Sequence, residues 1–257
     1  MSTKWTMITG ASEGLGVEFA RLAAAEGRDL ILVARQVQKL ERLADELRAR
    51  HNVAIEVLPT DLSDPKAVEA LWRRAEMRRH IDVLVNNAGL GYNGPFTGSE
   101  FNREMSSIMV NVTGLTILMK RAVAHMTRQG GGHILNVGST AGFMPGPNMA
   151  VYHATKAYVL SLTEAVAEEL RDSPVTVTVL CPGATATNFI KDAQMEDIAL
   201  LKALPVASAK RVAKAGWTAM KKGKRIRVTG LLNKFFAVSP RFAPRALTTR
   251  ITALFMK

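Results

Sequence analysis

Cysteine is almost absent, with Cys181 the lone thiol in 257 residues. An internal disulfide and a thiolate metal cluster are excluded, and the count fits a reducing compartment such as the cytoplasm. Long apolar runs are lacking too: stretches such as Ile81–Val85 fall far short of the ~20 residues a membrane-spanning helix needs. No Ser/Gly/Pro-rich linker or internal repeat divides the chain, and no leader-like segment precedes the first strand-like run, so one domain entered directly is expected. His51, His80, His125 and His133 show no ligand spacing, and no metal site is expected.

Acidic residues vanish after Asp197. The 60 residues Ile198–Lys257 hold 14 Lys+Arg and no Asp or Glu, while the first 197 hold 20 basic against 22 acidic residues, a balance of −2. The net charge of +12 therefore belongs to the C-terminal quarter. An anionic surface or ligand near that end is implied. Nucleic acid is disfavoured, since no recognition motif or aromatic stacking set accompanies the charge. With 47% hydrophobic and 22% charged residues, a disordered or fibrous chain is excluded.

What is present alternates. Apolar strand-like runs lie at Trp5–Thr9, Asp29–Ala34, Ala54–Leu58, Ile81–Val85, His133–Val137, Val175–Leu180 and Arg225–Val228. Helical stretches separate them: Gly14–Glu26, Gln36–Arg50, one opened by Ser63-Asp64-Pro65, a long one over Glu100–Arg128, and Val151–Arg171. Apolar strands divided by helices predict an α/β fold: a single doubly wound, Rossmann-type domain whose mostly parallel seven-stranded sheet carries helices on both faces. We expect this domain to span residues 1–230, with residues 231–257 a basic amphipathic extension.

The first turn reads Thr9-Gly10-Ala11-Ser12-Glu13-Gly14-Leu15-Gly16, leaving a strand and opening a helix. Glycines there let the backbone bend sharply and approach a pyrophosphate, whose charge is met by free amides and the helix dipole. The spacing is G-x-x-x-G-x-G, not G-x-G-x-x-G, and a tight turn holding no ligand would use the same residues. After the second run, Ala34-Arg35 stands where a carboxylate would receive an adenosine ribose. A guanidinium pairs with a ribose phosphate instead, which favours NADP(H) and leaves NAD(H) as the second choice. Glu13 inside the turn pulls the other way, and without a ligand Arg35 would be a solvated helix-start charge.

Tyr152 and Lys156 are spaced i, i+4 on one helix face. A free phenol has a pKa of about 10, and a fixed ammonium nearby stabilises the phenolate, making tyrosine a workable proton donor and acceptor. The pair alone is unspecific, because such spacing also arises on helix surfaces by chance.

Taken in order, the marks from Trp5 to Thr187 resemble the single-domain short-chain dehydrogenase/reductases. They are the glycine turn, Asp61-Leu62, Asn86-Asn87-Ala88-Gly89, Asn111, Ser139, Tyr152 thirteen residues later with Lys156, and Pro182-Gly183 with Thr185 and Thr187. The resemblance implies a cofactor site of Gly10, Ser12, Gly14, Leu15, Gly16, Arg35, Asp61, Leu62, Asn87, Ala88, Gly89, Tyr152, Lys156, Pro182, Gly183, Thr185 and Thr187. It implies Tyr152 as acid/base, Ser139 on the substrate oxygen, and Lys156 on the nicotinamide ribose while tuning the phenol. Asn111 would keep a water in the relay behind that lysine. Gly138 departs from the pattern, where a second serine is common. The resemblance also implies a homodimer or homotetramer built through the helices carrying Asn111 and Tyr152.

Substrate choice is expected from Leu90–Phe96, Gly142–Met149 and the loop 184–205, whose Tyr92, Phe96, Phe143, Met144, Phe189 and Met195 would form an apolar pocket or simply pack beneath loops. Asp192–Leu204 would be a lid helix. His153, about 100° round the helix from Tyr152, reads as a packing residue, and Cys181 as an inert buried thiol. In the tail, Leu231, Leu232, Phe235, Phe236 and then Leu247, Ile251, Leu254, Phe255 recur at helical spacing among Lys and Arg. Such a segment can lie peripherally on a membrane, dock on its own domain or another subunit, or receive an acidic substrate carrier. The reading is thus an NADP(H)-preferring oxidoreductase of an apolar or acyl-chain carbonyl/alcohol pair. The alternative is a catalytically silent nucleotide-binding regulator or scaffold, and a sugar-nucleotide enzyme is disfavoured because the chain lacks length for a further substrate domain.

Overall fold

The switch from helical to strand periodicity yields seven parallel strands: β1 (Lys4–Thr9), β2 (Asp29–Ala34), β3 (Ile55–Pro59), β4 (His80–Asn86), β5 (Gly132–Val137), β6 (Val175–Cys181) and, after a short pair β7 (Thr185–Ala186) and β8 (Ala207–Ser208), the last sheet strand β9 (Ile226–Val228). The computed structural model describes residues 4–199, 201 and 205–256. Sheet order is β3-β2-β1-β4-β5-β6-β9, every neighbouring pair parallel. The expected sheet is borne out. The chain first winds outward from β1 and then returns to β4, so the carboxyl ends of β1 and β4 part and leave a crevice where strand order reverses.

Helices cover both faces. On one side lie α1 (Gly14–Ala25), α2 (Val37–Arg50) and α8 (Ala209–Lys221). On the other lie α3 (Pro65–Glu76), α4 (Phe101–Ile108), α5 (Leu115–Arg128) and α6 (Ala150–Glu169); the single turn α7 (Phe189–Asp192) borders the crevice. Each face has its own apolar core. Phe19, Leu40 and Trp217 pack beneath Ile8, Leu30 and Leu32, while Trp72, Leu118 and Val159 pack on Met7, Leu84 and Ile134. Alternate strand residues point to opposite layers, and β2 is buried along its whole length, as a strand covered twice must be. The α3 start follows its signal: Pro65 takes the first position and the Asp64 carboxylate accepts from the Lys66 amide at 2.8 Å.

Two departures from the periodic pattern matter. The long helix is interrupted at Met109–Gly114 by a π-helical turn that separates α4 from α5 and holds Asn111. Phe101–Arg128 is long and apolar enough by length and composition to cross a membrane, yet Leu115, Leu118, Met119 and Ala122 are buried in the core of this sheet. The tail forms α9 (Leu231–Val238) and α10 (Arg245–Phe255), and Gly230 enters α9 at φ +86°, a conformation that favours glycine. Residues 200 and 202–204 of the expected lid helix lie outside the described residues.

Candidate active site

The crevice is a cleft of about 820 Å³, within the range of small-molecule sites, and strand ends supply its floor. At the end of β1 the glycine turn is compact for a steric reason. A Cβ on Gly10 would sit 2.8 Å from Asn87 Nδ2, and one on Gly14 would sit 2.8 Å from Thr187 Cγ2; both glycines have positive φ. The N-terminus of α1 receives no side-chain cap, and Gly14 and Leu15 of its first turn line the cleft as an anion cradle. This is the fit a dinucleotide pyrophosphate requires. Gly16, expected among the cofactor residues, lies beneath the turn instead: its amide donates to the Glu13 carbonyl at 3.1 Å, and a Cβ there would collide with the Gly10 carbonyl oxygen.

Thr9, on which the glycine-spacing argument placed no weight, ties the two halves together. Its Oγ1 accepts the Asn87 and Ala88 amides, each at 3.0 Å, and donates to the Val85 carbonyl at 3.3 Å. Asn87 Nδ2 returns to the Thr9 and Gly10 carbonyls at 2.9 and 3.1 Å. Asn86 turns away from the cleft and donates to Asn136 Oδ1 at 3.0 Å, a buried pair joining β4 to β5. A polar residue near the end of each apolar strand was the available signal.

At the ends of β2 and β3 the cleft is lined by Arg35, Asp61 and Leu62, with Gln36 and Thr60. The Ser63 amide and hydroxyl hold the Asp61 carboxyl below its ordinary range, and the Arg35 guanidinium adds to this. Asp61 therefore also caps the turn into α3. The Glu13 carboxylate takes the Lys39 ammonium and the Asn188 amide, the latter at 2.8 Å, and is lowered chiefly by Lys39 against the cost of desolvation. The negative charge inside the glycine turn is thus compensated locally.

Asn111, in the π-helical turn, is 1% exposed. Its Nδ2 donates to the Leu90 carbonyl at 2.8 Å and to Thr155 Oγ1 at 2.9 Å, while its Oδ1 accepts the Leu90 amide at 2.8 Å. It clamps the strand-end loop to α6. A Cβ on Gly89 would lie 3.3 Å from Lys156 Nζ and 3.4 Å from Asn111 Oδ1, so both side chains border one small space.

Ser139, Tyr152 and Lys156 meet beyond β5. The Ser139 Oγ accepts the Ala141 amide at 3.1 Å, which starts a tight turn over Thr140–Phe143. One helical turn apart on α6, the Lys156 Nζ stands 5.8 Å from the Tyr152 ring centroid and donates to the Val137 carbonyl at 2.8 Å. The electrostatics differ from the expectation of an ammonium-lowered phenol. Burial pushes Tyr152 up to about 12, with only the Ser139 hydroxyl pulling it back, and burial pulls Lys156 down to about 8. Desolvation penalises both charged forms more than the pair relieves. The resting site therefore holds a protonated phenol beside a serine hydroxyl, a pair of donors aimed where an oxyanion could form.

His153 is buried and its Nδ1 donates to the Met144 carbonyl at 2.8 Å, so it supports the loop in the packing role expected. Cys181 is fully buried and its thiol is raised to about 12, which leaves it neutral. Beyond the end of β6, Pro182, Gly183, Thr185 and Thr187 border the cleft. Thr185 Oγ1 donates to the Gly183 carbonyl at 2.9 Å, and the Pro182 carbonyl accepts the Thr140 amide at 2.9 Å. Of the expected substrate side chains, Tyr92, Met144, Phe189 and Met195 line the cleft. Phe96 does not, being 68% exposed, and Phe143 packs against the sheet core.

Sequence reading missed the tail's part in the site. Asn233, Phe236, Ile251, Phe255 and Met256 line the cleft; Asn233 faces Gly183, and the Met256 carbonyl accepts from Asn148 Nδ2 at 3.0 Å. No local signal could have shown this, since the tail reaches the site only through tertiary folding.

Comparison with known proteins agrees with this geometry. The family described as short chain dehydrogenase matches residues 4–197. An uncharacterised oxidoreductase of Staphylococcus epidermidis is 29% identical over 207 residues, 80% of this chain and 88% of that one. Among solved structures, a short-chain dehydrogenase from Sphingobium yanoikuyae in complex with NADPH is 32% identical, with a TM-score of 0.83 over 93% of this chain and 91% of that one. A bulky-bulky ketone specific alcohol dehydrogenase from Comamonas testosteroni is 29% identical, with a TM-score of 0.80 over 94% of this chain and 90% of that one.

Proposed function

This chain belongs to the short-chain dehydrogenase family, and from that premise we propose that it is an NADP(H)-preferring oxidoreductase of an apolar or acyl-chain carbonyl/secondary-alcohol pair. The observation that carries the reading is the meeting of Ser139, Tyr152 and Lys156 at the cleft beside the uncapped N-terminus of α1. The dinucleotide, when bound, supplies or takes up the hydride.

The chain's own residues do the rest. The amides of Gly10, Ser12, Gly14 and Leu15 would hold the pyrophosphate, with Asp61, Leu62, Asn87, Ala88 and Gly89 on the adenosine side and Lys156, Pro182, Gly183, Thr185 and Thr187 on the nicotinamide side. Arg35, exposed at the cleft edge, would be the cation for a ribose phosphate, the ground for proposing NADP(H) over NAD(H); the Sphingobium relative's complex with NADPH supports this. Tyr152 Oη keeps its proton through the neutral range and gives it to the substrate oxygen as charge builds there, while Ser139 Oγ hydrogen-bonds the same oxygen. Lys156 orients the cofactor sugar and stands behind the phenol; Asn111 fixes the loop that shapes their common border.

Tyr92, Met144, Phe189 and Phe236 give the substrate end an apolar wall, which suits bulky ketones, steroid-like ketones or 3-oxoacyl compounds, and the specificity of the Comamonas relative supports that class. We also propose a cytoplasmic homodimer or homotetramer. Phe101, 74% exposed on α4, and Tyr158, 37% exposed on α6, mark the helices through which subunits would pair. Following NADPH and NADH oxidation across these carbonyl classes tests the cofactor and the substrate together. Tyr152→Phe should lose at least about 100-fold in turnover while NADPH still quenches protein fluorescence with unchanged affinity. A variant that keeps turnover would refute the acid/base role, and a wild type silent on every carbonyl class would favour the scaffold alternative.

A further inference from the structure

The two tail helices spend only one side on the cleft. In α9, Asn233 and Phe236 face the cleft and Ala237 is buried. At about 100° per residue, Leu231, Phe235 and Val238 then share the opposite side, where they are 83%, 64% and 49% exposed. In α10, Thr252, Phe255 and Met256 point inward, while Leu247, Ile251 and Leu254 repeat the same i, i+4, i+7 spacing and are 49%, 45% and 65% exposed. Phe242, on the connection, is 85% exposed. A helix that served only to cover its own domain would turn such a stripe inward. Here both stripes face solvent, and eight of the fifteen large apolar side chains exposed among the described residues lie in this short segment.

The charge along the tail segment itself has one sign. Lys234, Arg241, Arg245 and Arg250 are the charged residues of positions 231–256, and no acidic residue follows Asp197. We propose that this double stripe is a docking face for an anionic lipid bilayer. Its Leu, Ile and Phe side chains enter the acyl boundary and its four cations meet headgroup phosphates. A second copy of the chain fits less well, since pairing the face with itself would set four cations against four with no carboxylate in the segment. Ile251 both borders the cleft and belongs to the exposed stripe, so a docked protein would hold its cleft beside the lipid. Resting on the proposed carbonyl reduction, this would let an apolar substrate enter from the bilayer; the docking itself stands apart from that reaction.

The test is co-sedimentation of the full chain with phosphatidylcholine vesicles, with and without about 30 mol% phosphatidylglycerol. Binding should require the anionic lipid and fall severalfold at high salt. A Phe235→Ser/Phe242→Ser/Leu254→Ser variant should lose it while reducing a water-soluble ketone at the wild-type rate. Arg241→Glu/Arg245→Glu, which leaves the apolar side chains in place, should weaken it at least about tenfold and guards against a serine variant that fails to fold. No sedimentation on anionic vesicles overturns the proposal, as does equal sedimentation of both variants and the wild type. Self-association lost in the serine variant, with vesicle binding absent, would assign the face to a second copy. A protein that binds vesicles but reduces no carbonyl sinks the oxidoreductase reading and leaves the docking face in place.

Discussion

The burial of the Lys156 amine costs stability, and the cost can be measured. Its ammonium is 5% exposed, and burial draws its pKa from 10.5 down to about 8. At about 1.4 kcal/mol per pKa unit, a charged Lys156 at pH 7 destabilises the cofactor-free fold by about 3 kcal/mol. Lys156→Met removes that charge and keeps most of the side-chain volume, but it leaves the Val137 carbonyl without its donor, a loss of about 1 kcal/mol. The variant should therefore be more stable than wild type at pH 7 by about 2 kcal/mol, although inactive in the proposed reaction. The pH dependence has a definite sign. Between about 8 and 10.5 the unfolded lysine still holds its proton and the folded one has lost it, so the stability of the wild type rises across that window. The variant has no such slope, and its advantage should close by pH 10. Urea unfolding of both proteins without cofactor, at pH 7 and pH 10, reads the difference directly. A methionine variant less stable at pH 7, or a gap that stays constant with pH, would refute a desolvated ammonium at this position.

Two further outcomes follow from single side chains. Asn111→Ala strands the Leu90 amide and carbonyl together, so urea unfolding should show a loss of about 2–4 kcal/mol. An unchanged midpoint would mean that the π-helical turn holds its loop without this clamp. Glu13→Gln keeps an oxygen for Asn188 but releases the Lys39 ammonium, adding free positive charge near Arg35. Fluorescence titration should then show NADPH binding about two- to fivefold tighter with NADH unchanged; equal tightening of both would remove Glu13 and Lys39 from phosphate recognition.

The helix–strand alternation was legible from sequence because it rests on short-range periodicity, while Asn111, Ser139, Tyr152 and Lys156 were expected as a set only through the family resemblance. Apolar strand runs define a sheet covered twice, Asp64-Pro65 starts its helix where expected, and Tyr152 and Lys156 share a face because four residues make about one helical turn. Asn111 could be assigned to a long helix but not to a π-helical turn, since that distortion answers to the packing of its neighbours more than to any residue within it. The expectation that Lys156 lowers the Tyr152 phenol treated the charges as a pair in water, and burial of both reversed it. Glu13 looked adverse to NADP(H) until Lys39, on the next helix, was seen to compensate it.

From its residues alone, the chain determined the order of its strands along the sequence, its glycine turn and the placing of its phenol and amine one helical turn apart, because each depends on neighbours within a few positions. The tail was decided only by the tertiary structure. Its hydrophobic spacing was plain, yet whether those side chains covered the domain or faced outward depended on which surface the folded body offered. That body accepts Asn233, Phe236 and Met256 at its cleft and leaves Phe235, Phe242 and Leu254 in solvent, a choice made by shape across residues far apart in sequence.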